Sequence, residues 1–182
     1  MAASRGKPRN IGLGTVGGQR AFTFCASAGL DSVAVEGVDL LEKAQTGPWA
    51  YAHAALIALL DPGVPNLRIT LPDGARHEAA QIFASRSRRY GGELKISGRA
   101  SLESPLLSLI LVRPPLMARL PRLLPRVFAS GLEGAPGVLP LEVEGFDLEA
   151  PWAVPIQADG DIVARAPARI AARPAALTVL VP

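Results

Sequence analysis

The sequence predicts a mainly β (α+β) fold, an antiparallel β-sandwich with two or three helical excursions. Three observations lead there. Short apolar runs alternate with turn formers, 18 Gly and 17 Pro in 182 residues, which favours many short elements over a helical bundle. Hydrophobic residues make up 49% and charged residues 19%, enough apolar material for a core and too little charge for a disordered tail. Strand-like runs outnumber helical ones and show no repeat at a solenoid period. No internal domain boundary is visible, so residues 1–182 read as a single domain.

Residues 1–10 form a polar lead expected to be loose, and RAFTFCASA (20–28) is rich in β-formers. Gly29 ends that strand, and Asp31 or Ser32 can cap a helix running to about Gln45. Gly47-Pro48 separates it from a second helix that ends at Asp61-Pro62-Gly63. LRITL (67–71), the Pro72-Asp73-Gly74 turn and ARHEAAQIFASR (75–86) read as a hairpin. A glycine-rich bend in RRYGGELKIS precedes PLLSLILV (105–112), which is apolar on both faces and therefore an interior strand. Residues 114–130 have helical spacing, but Pro121 and Pro125 predict a kinked or broken helix. After a loop at 131–137 the chain returns to β, through VLPLEVEGFDLE, WAVPIQA, the Asp159-Gly160 turn, DIVARA and ALTVLV.

Charge and cysteine usage narrow the function. The net charge is +3, from 19 Lys+Arg against 16 Asp+Glu. The arginines are scattered rather than clustered, so nucleic acid is not expected as a partner. Cys25 is the single cysteine, so no internal disulfide or cysteine metal cluster can form. MAASRGKPRN lacks the apolar segment of a signal peptide. The longest apolar runs, 54–60 and 106–112, fall well short of the roughly 18–20 residues a bilayer span needs. The expected location is cytoplasmic, with at most peripheral contact with a membrane.

Four motifs invite chemistry, and each has a plainer reading. GLGTVG (12–17) satisfies G-x-G-x-x-G, but no buried strand precedes it and a strand follows, so a glycine-rich turn between strands fits better than a dinucleotide loop. ADGD (158–161) suits a two-residue hairpin turn. Alternatively, Asp159 and Asp161 project toward one site, accepting a hydroxyl proton or helping to hold Mg²⁺. RSRRYGGE (86–93) is either a solvated basic loop or a phosphate site. In the second case Arg86, Arg88 and Arg89 neutralise charge and the Gly91-Gly92 pair permits close backbone approach. Segment 116–128 interleaves seven apolar residues with Arg119, Arg122 and Arg126, as core packing or as an interfacial helix on anionic lipid. His53 and His77 lack metal-ligand spacing, and zinc is not expected.

In order and spacing, FTFCASAGLDS (22–32), GPWAY (47–51), RRYGGELKISGRASLESPLLSL (88–109) and IQADGDIV (156–163) resemble the C-terminal half of the diacylglycerol kinase/sphingosine kinase family. The resemblance covers nearly the whole chain from Arg9 and implies a C-terminal β-sandwich, like that of diacylglycerol and NAD kinase-like proteins. Such a sandwich receives a lipid hydroxyl, of diacylglycerol or a sphingoid base. ATP is held by a Gly-Gly-Asp-Gly-Thr loop in a separate N-terminal kinase half, a motif this sequence lacks. ATP and Mg²⁺ are thus implied cofactors that need that other half, and the chain alone is expected to be inactive. The resemblance implies Asp161 and Asp159 as catalytic residues, and Asp31, Arg88, Arg89, Gly91 and Gly92 as substrate- or phosphate-binding. Where the family has Asp-Gly-Glu, this chain has Asp159-Gly160-Asp161, which retracts the presumed base by one methylene. Where the family has a magnesium-associated Asp-Asp-Gly, it has Glu103-Ser104-Pro105, so Ser104 occupies the metal aspartate's position and the metal site is expected to be lost. Two functions follow from this reading: the lipid-substrate half of a split lipid kinase, or a non-catalytic lipid- or protein-binding module.

Overall fold

The computed structural model describes residues 6–36, 66–90 and 94–181. Among these, one sheet has the order β2-β1-β14-β11-β4-β5, where β1 is Lys7–Val16, β2 Arg20–Phe22, β4 Leu67–Thr70, β5 Arg76–Ala79, β11 Gly145–Glu149 and β14 Ala168–Val181. The second has the order β10-β9-β6-β3-β12-β13, formed by β3 Cys25–Gly29, β6 Gln81–Ser85, β9 Leu107–Val112, β10 Val138–Val143, β12 Pro155–Ala158 and β13 Asp161–Arg165. Every pairing is antiparallel. A short ribbon joins β7 Arg89–Tyr90 to β8 Leu94–Lys95. The helices are α1 Leu30–Glu36 and α2 Leu116–Ala129. The predicted mainly β class is the observed one.

The main core lies between the two sheets. Phe22, Leu67, Ile69, Phe146, Leu148 and Ile170 of the first meet Ile82, Leu107, Leu109, Leu111 and Ile156 of the second. Alternation along a strand sends the remaining side chains outward. On the second sheet that outer face is also covered: Cys25, Phe83, Ile110 and Val112 pack with Leu116 and Leu123 of α2. This double burial explains why β9 is buried at all six positions and why its sequence is apolar throughout.

Several elements differ from the sequence reading. The supposedly loose lead supplies β1 from Lys7, whose residues 7–10 pair with 178–181 of β14. Their partners lie at the far end of the chain, where local periodicity gives no sign of them. The predicted 20–28 strand is two strands on different sheets, separated at Thr23-Phe24. Similarly, 75–86 is split at Ala80 between β5 and β6. Only the 67–79 part forms the expected hairpin, Leu67 opposite Ala79. Helix α2 runs through both prolines without a break. Both are solvent-exposed, so the carbonyls four residues earlier, of Met117 and Pro121, lose N–H partners where water can replace them. The second expected helix and most of the first lie outside the described residues, as do His53, Gly91 and Gly92.

Candidate functional site

The outer face of the second sheet carries a buried polar patch. Ser27 on β3, Gln81 and Ser85 on β6 and Gln157 on β12 are all nearly or fully inaccessible. Strand alternation aims these side chains away from the main core, and α1 folds back over them from Gly29. Gly29 permits this turn: its φ is +125°, and a Cβ there would lie 2.6 Å from the Ala80 carbonyl. Ser32 then closes the start of α1, accepting from the Gly29 amide and donating to its carbonyl.

Asp31 is the centre of this patch. Its Oδ2 accepts from the Ser27 hydroxyl at 2.5 Å and from the Tyr90 hydroxyl at 3.1 Å. Its Oδ1 accepts from the Gln81 amide at 2.6 Å, while the Asp31 amide donates to Gln81 Oε1. Gln157 donates to Ser27 Oγ at 2.6 Å, extending the network across three strands. Burial pushes the Asp31 carboxyl above its ordinary value, against the hydrogen bonds from Ser27, Gln81 and Tyr90 that favour its charged form. Burial, and then the neighbouring Asp31 charge, raise Tyr90. Burial likewise raises Cys25, leaving a neutral thiol held against Ser85 rather than a nucleophile. Ser27 and Asp31 are exceptions to the apolar sequence around them, as Gln81 and Gln157 are in QIFAS and PIQA. Sequence reasoning singled out Asp31 alone. Polar residues at outward positions of otherwise apolar strands were the signal for the rest.

Asp159 and Asp161 sit in different surroundings. Asp159 begins the expected hairpin turn with φ +51°, followed by Gly160 at φ +98°. Its carboxylate accepts from the amides of Thr23, Phe24 and Cys25 at 2.7, 2.9 and 3.0 Å, pinning the corner where the chain passes between sheets. Asp161 is exposed, and no hydrogen bond joins it to Asp159 or Asp31 among the described residues. Arg88 and Arg89 are exposed at the start of the β7–β8 ribbon.

Arg86 departs furthest from expectation. It is not part of an exposed phosphate cluster but has 0% exposure. Its Nη1 donates to the Leu106 carbonyl, and its Nη2 to those of Leu102 and Ser104, all at 2.8–2.9 Å. Gly12 gives it room, because a Cβ there would sit 2.2 Å from Nη2. Burial lowers its pKa. Loop 102–106 is where the family resemblance implies magnesium, and the donor set does not fit a cation. The carbonyls converge on a guanidinium already present, Glu103 turns out to Arg9 at 2.8 Å, and Ser104 Oγ accepts from the Leu106 amide. No cluster of three metal-ligating side chains occurs among the described residues.

A model of the YegS C-terminal NAD kinase beta sandwich-like domain matches residues 25–181. The chain belongs to this family. Solved structures agree in fold with this YegS-type domain. One described as a diacylglycerol kinase from Bacillus anthracis str. Sterne has a TM-score of 0.69 and 15% identity, covering 97% of this chain and 57% of its own. Two described as candidate diacylglycerol kinases from the same organism give TM-scores of 0.73 and 0.71 at 16% and 14% identity, covering 97% of this chain and 58% of theirs. The YegS-type domain thus spans well under two thirds of the length of these structures. No curated protein sequence matches it. Among its described residues, no helix is long and apolar enough to cross a membrane.

Proposed function

We propose that this chain is the acceptor half of a diacylglycerol kinase-like lipid kinase, presenting a lipid hydroxyl to ATP held by a separate N-terminal half. The observation that carries this reading is the coordination of Asp31. A carboxylate has about four acceptor positions; Ser27, Gln81 and Tyr90 fill three, and the Ser32 amide addresses the fourth. Asp31 is only partly buried as a residue, so a lipid hydroxyl arriving from outside can exchange with the most loosely held donor, Tyr90 at 3.1 Å. Diacylglycerol and a sphingoid base both offer one beside apolar chains. Arg88 and Arg89 would attract phosphate near it, with the Gly91-Gly92 pair beside them. In the reaction the hydroxyl oxygen bonds to the γ-phosphorus, ADP leaves and the hydroxyl proton passes to the carboxylate it faces, Asp31, or to the solvent-exposed Asp161. Asp159, held by three backbone amides, has a structural role at the sheet corner. When bound with ATP, magnesium would neutralise phosphate charge, and nothing in loop 102–106 is suited to hold it. That loop favours a second reading, a lipid-binding module without catalysis.

The test separates binding from turnover. Short-chain diacylglycerol should bind the isolated chain, while ATP and diacylglycerol together should yield no phosphorylated lipid. Asp31→Asn should weaken binding at least tenfold, as hydrogen bonds to charged groups are worth about 1.5–3 kcal/mol. Acidification should weaken binding in the parent as the carboxyl protonates. Because burial raises that carboxyl, the loss should begin above the ordinary aspartate range. Absence of binding removes the acceptor role, and turnover by the mass-verified chain removes the division between halves.

A further inference from the structure

Helix α2 has one exposed face with no partner among the described residues. Leu116 and Leu123 are buried, and Leu120 and Val127 pack beside them on the second sheet. At about 100° per residue, positions 117, 121, 124 and 128 form an adjoining stripe of Met, Pro, Leu and Phe. Met117, Leu124 and Phe128 are 46%, 53% and 65% exposed, among the largest exposed apolar side chains described. The outermost direction holds Ala118, Pro121, Pro125 and Ala129, with Arg122 flanking it.

Charge decides what this face fits. The helix contains Arg119, Arg122 and Arg126 and no acidic residue. Arg119 and Arg126 are fixed at its edge, donating to the carbonyls of Arg113, Pro114 and Pro136 and of Gly131 and Glu133 respectively. Lys95 adds a cation at the C-terminal end through the Ala129 carbonyl, and Arg113 is exposed before the first turn. The neighbouring acid, Glu133, is engaged by Ser97, Gly98 and Arg99. An exposed helix face with an apolar stripe along one edge, cations along the other and at both ends, and no carboxylate in the helix, is the pattern of a helix lying in a lipid interface.

We propose that the exposed face of α2 rests on an anionic bilayer surface. The two prolines limit its depth. Carbonyls deprived of an N–H partner must meet water or headgroups, so the helix lies at the interface and not in the hydrocarbon. The apolar layer beneath α2 also contains Leu30 and Tyr90, the immediate neighbour of Asp31 and one of its hydrogen-bond donors. Docking through α2 would therefore hold the Asp31 cluster on the membrane-facing side of the second sheet. The docking surface itself does not depend on the kinase reading, and its test involves neither ATP nor diacylglycerol.

The 182-residue chain is floated with vesicles of phosphatidylcholine alone and of phosphatidylcholine mixed with phosphatidylglycerol. The parent should bind the mixed vesicles, bind the neutral ones poorly, and be released by salt. Arg113→Gln with Arg122→Gln removes two cations that make no hydrogen bond or ion pair among the described residues. At about fivefold per cation near an anionic surface, it should weaken binding about 25-fold. Leu124→Ser with Phe128→Ser should weaken it at least tenfold. All four positions are exposed, and unchanged thermal unfolding confirms that the variants fold. Phe128→Trp gives an independent readout, a blue-shifted emission on anionic vesicles only. The proposal is overturned if the parent does not float with anionic vesicles, or if both double variants float as well as the parent. It is equally overturned if the parent is a dimer that Leu124→Ser with Phe128→Ser dissociates, without vesicle binding.

Discussion

A guanidinium that bonds three carbonyls of one loop does the work of a bound cation without being exchangeable. Removing it strands the carbonyls of Ser104 and Leu106, while that of Leu102 keeps the Gly12 amide, and each buried orphan costs about 1–3 kcal/mol. Arg86→Leu should accordingly lose at least about 2 kcal/mol by urea unfolding, if it folds at all. The parent, by contrast, should show no thermal shift with added Mg²⁺ or Ca²⁺, because its guanidinium repels a second cation from the same carbonyls. A clear upward shift with either metal would place a cation site in this loop after all. The sequence disguises the residue. In SRSRR, Arg86, Arg88 and Arg89 look alike, and only the end of a five-residue buried strand at Ser85 marks the first as different. Its dependence on Gly12, far away in β1, leaves no local trace. Asp159 is the reverse case: its turn was legible in Asp-Gly, but the three amides it holds come from residues 23–25 and could not be foreseen.

Among the elements, those defined by their own composition were readable and those defined by distant partners were not. Strand β9 announces itself by six apolar residues, and the β4–β5 hairpin by Pro-Asp-Gly. Strand β1 does not, because KPRN is polar and becomes a strand only against β14. Helix α2 was legible in spacing and misjudged in continuity. Its prolines are tolerated on the exposed side, which implies a removable cost. Pro121→Ala restores the N–H for the Met117 carbonyl. An interior proline costs about 3 kcal/mol in host helices, but this backbone already accommodates the ring and the substitution adds freedom to the unfolded chain. The expected gain is therefore about 1 kcal/mol, read as a higher urea midpoint with unchanged slope. A lower midpoint would mean that proline's rigidity outweighs the missing hydrogen bond.

At the scale of the whole molecule, the sandwich class was legible from turn density and apolar content, whereas the sheet order was not. At four points the chain changes sheets through only one or two residues, Thr23-Phe24, Ala80, Glu144 and Ala166-Pro167, which resemble ordinary turns in sequence. One consequence follows from the longest pairing, in which Lys7 lies opposite Val181. Start and finish are adjacent, so the fold is topologically close to a ring. A loop of a few residues could join residues 7 and 181, and new termini could be cut at Gly17-Gly18, where added side chains would meet nothing within 4 Å. The circular permutant should keep the circular dichroism spectrum and cooperative melting of the parent, since exposed turns tolerate such cuts. A molten or unfolded permutant would show that the β1–β2 turn must form early for the sandwich to assemble. If the ring is sound, the order in which the strands are synthesised is incidental, and any segment attached at either end emerges from one place on the surface.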